Sequence, residues 1–180
     1  MARRCSSFLA AFISVSVLVL PACSSKDAGS ERNASAPASS QSASRSLQPC
    51  KLLTEAQVRT VLPDLADSSD MSVGNSFVKS IDSYQCSHVS KNADMLIVIV
   101  NIAANEASFR TLKESNKPPD DARKVDIADG AWVYPKDRGG LEVLVLKGRA
   151  VIHLDLDTKD APQKSDALVE LARTVASKVS

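Results

Sequence analysis

The residues best suited to chemistry cluster in Val151-Ile152-His153-Leu154-Asp155-Leu156-Asp157. Read as a strand, its period of two puts His153, Asp155 and Asp157 on one face, and an imidazole with two carboxylates is a ligand set for a divalent cation. The same alternation turns Ile152, Leu154 and Leu156 to a core and the polar three to water, as any half-exposed strand does. Ligands two apart on one strand are about 7 Å apart in Cα and need help from elsewhere. The solvated face is therefore favoured, and no metal is assigned. Asp120 and Asp121, with Asp126 and Asp129 further on, lack the alternating oxygen ligands and glycine of a calcium loop and read as solvated turns. Trp132, the only tryptophan, and Tyr134 share one face of a strand. They are expected to plug the core beneath the last helix; the alternative is that they line a shallow pocket for a sugar or peptide fragment.

Sulfur is the other chemistry. Of the four cysteines, Cys5 lies in the charged start of an apolar leader. Cys23 follows Leu20-Pro21-Ala22, which resembles a bacterial lipoprotein signal, so a signal peptidase is expected to cut there and lipid, palmitate included, to be attached to the cysteine. Cys50 and Cys86 remain, an even pair in an exported domain, and are expected to form one disulfide. The alternative is a redox pair, but there is no C-x-x-C spacing, and a dithiol outside the cell oxidises unless something maintains it. A structural staple is favoured. No Gly-x-Ser-x-Gly, phosphate-cradling glycine loop, His-Glu-x-x-His or dinucleotide fingerprint occurs. The histidines number two, His88 and His153. No catalytic residue and no cofactor is assigned.

The leader positions everything downstream. Arg3 and Arg4 precede an apolar run of 13 residues, 8–20, interrupted only by Ser14 and Ser16. A membrane span needs about 20 apolar residues, so the run reads as a secretion signal over residues 1–22. The paired arginines also suggest a twin-arginine signal, but Phe8-Leu9 stands too far downstream, so ordinary secretion is favoured. A plain secretory peptide would leave Cys23 as a free thiol, which an oxidising compartment disfavours. Residues 23–48 are the lipidated cysteine and its tether. Of the 25 residues in 24–48, nine are serine and five alanine. Such a composition cannot offset chain entropy by burial and predicts disorder. Its root-mean-square reach is about 25–30 Å.

Residues 49–180, 132 in number, make one domain. Its 17 Lys plus Arg against 19 Asp plus Glu leave a net of −2. No short window is dominated by cations, so the footprint of a nucleic-acid binder is missing. Thr54-Glu55-Ala56-Gln57 is a capping box with Leu53 and Val58 as the staple, predicting a short helix to about Leu62. Residues 84–89 and 94–103 read as a hairpin around Ser90-Lys91-Asn92-Ala93. Its second arm is apolar on both faces and so should be central. Asn105 caps a middle helix that ends before Lys117-Pro118-Pro119. Residues 131–135, 141–147 and 150–157 form a meander. Asp160 is expected to cap a long last helix whose Leu168, Leu171, Ala172, Val175 and Val179 share one face. The fold class is α+β: an antiparallel β-sheet with three helices packed on it and one disulfide.

Pro49-Cys50-Lys51-Leu52-Leu53-Thr54, followed by a short helix and then Tyr84-Gln85-Cys86-Ser87-His88, is similar to a family of small actinobacterial lipoproteins whose domain has no known function. That family also carries the lipobox and Ser/Ala tether, so the resemblance spans essentially the whole chain. The architecture also resembles extracellular sensor domains of actinobacterial membrane kinases and small lipoproteins with a PsbP-type sandwich. None of these resemblances supplies a catalytic residue.

The expectation is a non-catalytic binding or sensor module, lipid-anchored to the cell membrane on its extracytoplasmic side, facing an envelope ligand or membrane partner. An accessory subunit of an envelope complex is the alternative, and a hydrolase with an unrecognised site a lesser one. A concave apolar pocket favours ligand binding; a flat apolar patch of several hundred Å² favours a partner subunit.

Overall fold

A computed structural model describes residues 47–71 and 80–180. The signal at 1–22, Cys5, Cys23 and the tether up to residue 46 lie outside the described residues. Leu47 and Gln48, assigned from composition to the tether, belong with the domain. Leu47 packs against the core, and the Gln48 carbonyl accepts the Lys51 N–H at 2.9 Å in a 3-10 turn over Pro49–Lys51.

The capping box forms as read. The Gln57 N–H donates to Thr54 Oγ1 at 3.3 Å and the Thr54 N–H donates to Gln57 Oε1 at 2.9 Å. The helix it starts, α1 (Glu55–Val58), is shorter than expected, and the chain continues as turns to Leu62. Both staple residues, Leu53 and Val58, are buried.

Seven strands follow, with two longer helices: β1 (Leu65–Met71), β2 (Ile81–Ser90), β3 (Met95–Ala103), α2 (Glu106–Ser115), β4 (Arg123–Val125), β5 (Gly130–Pro135), β6 (Leu141–Lys147), β7 (Ala150–Asp157) and α3 (Ser165–Lys178). They form one antiparallel sheet in the order β1-β2-β3-β7-β6-β5-β4. The β2–β3 hairpin turns on Ala93, held at φ 64°. Ser90 Oγ accepts the Asn92 and Asp94 N–H groups there at 3.2 and 3.0 Å, an alternative to turn glycine.

β3 is central, as its composition demands. One face, Leu96, Val98 and Val100, is fully buried with Val143, Val145, Ile152 and Leu154 beneath α3, whose Leu168, Leu171, Ala172 and Val175 complete this main core. The other face meets α2: Phe109 and Leu112 pack on Ile81, Ala103, Leu144, Leu146 and Val151. Helices thus lie on both faces of an α+β domain. Asp160 does not cap α3. Its carboxylate is engaged by the Thr158 hydroxyl and by Lys164 Nζ, the latter at 2.8 Å, so it opens a 3-10 turn over Ala161–Lys164 instead.

Candidate functional site

Alternation along β5 puts Trp132 and Tyr134 on one face, but that face meets α2, not α3. They do not plug the core beneath the last helix. Pairing with β6 sets Trp132 opposite Leu144, and Leu144 and Leu146, both buried, form a floor beside the half-buried indole. Gly130, two residues back on the same face, makes room for that ring, because a Cβ there would lie 3.0 Å from Trp132 Cη2.

The opposite wall comes from the end of α2. Asn116 Nδ2 donates to the Leu112 carbonyl at 2.6 Å and closes the helix; Pro118 and Pro119 then prevent it from continuing. Between this wall and the indole lies an open groove of about 360 Å³, lined by Lys113, Asn116, Pro118, Pro119, Trp132 and Leu146. Its rim carries the exposed pair Lys117 and Asp120, 3.5 Å apart. An indole and two prolines over a leucine floor, with cations and an amide at the edge, suit a small ligand with a flat apolar face and polar substituents.

A polar network lies further along the same face of β5, around Tyr134. Register places Tyr134 opposite Glu142 and Glu142 opposite Asp155. His153 Nδ1 lies 2.7 Å from Glu142 Oε1, and Lys136 Nζ is bonded to Asp155. Burial pushes the Glu142 carboxyl up, but the His153 hydrogen bond, the Tyr134 hydroxyl and the Lys136 charge outweigh it and hold it below the usual carboxylate value. Burial, then the hydrogen bond and charge of Glu142 and the charge of Asp155, pushes the Tyr134 hydroxyl well above its ordinary value. Glu142 is therefore ionised near neutrality, and the His153 Nδ1–H donates to it.

His153, Asp155 and Asp157 do share a face, but it is not the solvated row expected. The His153 side chain is only 15% exposed, and Glu142 on β6 and Lys136 just after β5 supply partners that alternation alone does not reveal. His153 is bonded to Glu142 and Asp155 to Lys136, and Asp157 is exposed. A second cavity of about 250 Å³ touches Ile97, Lys136, Asp155 and Asp157. Of the other acidic residues, Asp129 accepts the Gly148 N–H at 2.6 Å and Asp126 offers its carbonyl to Arg173 at 2.8 Å.

Cys50 and Cys86 form a disulfide with Cα atoms 5.0 Å apart. The Cys50 N–H donates to Asp70 Oδ1 at 2.9 Å. Among the described residues, Cys50, Asp70 and Cys86 form the one trio of His, Cys, Asp or Glu whose ligand atoms lie within 4.8 Å of one another, and its sulfurs are joined to each other. Sequence reasoning passed over His88, which is 2% exposed. It shares a face with Cys86 by the same period of two, which is the signal that could have found it.

Among the described residues no helix is long and apolar enough to cross a membrane. No family model, curated protein or solved structure matches the chain.

Proposed function

We propose that this protein is a non-catalytic binding or sensor module, lipid-anchored through Cys23 on the outer side of the cytoplasmic membrane, with the Trp132 groove as its ligand site. The carrying observation is the groove itself: concave, aromatic-walled and floored by buried Leu144 and Leu146. Its volume falls within the range of small-molecule sites. Met71 is the one large apolar residue exposed among the described residues, which supports a small ligand over a docked partner subunit. The lipobox before Cys23 and the Ser/Ala-rich tether support the anchor. The ligand class is a sugar or short peptide fragment of the envelope, with its apolar face on the indole.

Because Trp132 is the only tryptophan, emission from the whole chain reports the site. Muramyl dipeptide and chitotriose are the probes. A saturable change with at least one of them, with calorimetric binding lost in Trp132→Ala, is expected. Unmoved emission, or equal binding by Trp132→Ala, refutes the reading.

A further inference from the structure

The rim of the Trp132 groove is not electrically neutral. Asp120 is the one acidic residue among those lining it, and Lys117 engages it at 3.5 Å. Lys113 lines the groove too, but it enters no ion pair among the described residues. It precedes Asn116 by three residues, so the helical repeat sets both on the wall opposite the indole. A second cation comes from the other side of Trp132. β4 pairs with β5 so that Lys124 stands directly opposite Trp132. Such cross-strand partners share a face, with Cβ atoms about 5 Å apart. Lys124 is exposed and likewise enters no ion pair among the described residues. The indole thus lies between two cations left unmatched in a domain whose net charge is −2. Each has an ordinary use, since Lys113 complements the carbonyl end of α2 and Lys124 blunts an edge strand. Neither use requires both to flank the same ring.

We propose that the Trp132 groove selects a carboxylated amino sugar, whose carboxylate is met by Lys113 and drawn in by the charge of Lys124. This rests on the groove being the ligand site. The sugar lays the flat C–H face of its ring on the indole, as aromatic-walled sites allow.

The remaining groups fit that ligand. Leu144 and Leu146 form a floor without hydrogen-bonding side chains, so the polar groups of the sugar turn to the rim. Asn116 spends Nδ2 on the Leu112 carbonyl and keeps Oδ1 as an acceptor for a hydroxyl or acetamido N–H. An ammonium bound to a carboxylate is a charge-assisted hydrogen bond, and beside an apolar floor solvent weakens it less than on open surface. A peptide terminus supplies the same charge without the saturated ring that the indole takes, so the sugar is favoured.

The test uses the full chain in a detergent without sugar headgroups, read by Trp132 emission and by calorimetry. The probes are N-acetylmuramic acid and its methyl amide, which differ in the charge on the lactyl group. The acid should bind about ten-fold more tightly at low salt, and the advantage should shrink at about 0.5 M sodium chloride. Lys113→Gln should cost the acid about five-fold and the amide far less, Lys113→Arg should keep the advantage, and Lys124→Gln should lower it about two-fold. Equal binding of acid and amide, with Trp132→Ala still abolishing both, overturns charge selection and leaves the groove as the site. An advantage that survives Lys113→Gln and Lys124→Gln together also overturns it. So does acetyl-dialanine binding more tightly than the acid, which would assign the groove to peptide termini. If no probe is bound, muramyl dipeptide and chitotriose included, the groove reading falls and this inference with it.

Discussion

Gly130 lies so close beneath Trp132 that an added Cβ would sit 3.0 Å from the indole Cη2 and 3.4 Å from Cζ3. The ring is stiff and packed beside Leu144 and Leu146, so it has to tilt rather than merely bend aside. Gly130→Ala should destabilise the domain by about 1–3 kcal/mol through overpacking. It should also shift the tryptophan emission maximum and weaken muramyl dipeptide or chitotriose binding. Urea unfolding and emission spectra check this; an unchanged spectrum would mean the glycine does not set the ring's position.

The disulfide closes a separation of 36 residues and ties the segment before α1 to β2. Removing it with Cys50→Ser and Cys86→Ser should cost about 2–4 kcal/mol, mainly through the freed unfolded chain. Denaturant unfolding measures the loss. A change too small to resolve would mean that the bond constrains neither state.

Two groups shape the acid limb of stability. The Glu142 pKa is depressed from the ordinary 4.5, so its contribution is present above that value and is lost as pH falls through the lower, folded value. The His88 pKa is depressed from 6.5. The unfolded state therefore takes up a proton first, and stability falls as pH drops below 6.5 toward the folded value. Glu142→Gln should flatten the lowest part of the profile and leave the His88 step in place. Melting temperatures measured across the acid range decide this; an unaltered acid limb in Glu142→Gln would contradict the assignment.

Cys23→Ala should release the protein from membranes into the medium, or leave it unprocessed. Fractionation with mass measurement of the chain checks this. A cleaved Cys23→Ala protein still bound to membranes would remove the anchor from the account.

Strands β3, β5, β6 and β7 are legible in the sequence because alternation or continuous β-branched runs mark them. So are the Thr54 and Asn105 caps, whose side chains act within three residues of themselves. β1 is not legible. Leu65-Ala66-Asp67-Ser68-Ser69-Asp70-Met71 has one buried residue and six exposed ones, and it is a strand because β2 offers it an edge. That omission hid Ser68 and Asp70, and with them the surroundings of the disulfide. The Trp132 and Tyr134 face was misassigned for a related reason: alternation says which residues share a face, never which helix covers it. His153 and Glu142 sit on different strands 11 residues apart, and only their register joins them.

The location of the ligand site is the claim on which the account turns, and amide shifts of the isotope-labelled chain during titration with solubilised cell-wall fragments test it most directly. The account predicts saturable shifts confined to Asn116, Lys117, Ala122, Trp132, Leu144 and Leu146, together with the Trp132 indole N–H. Shifts gathered instead on the α3 face, or none at saturating fragment, would contradict it.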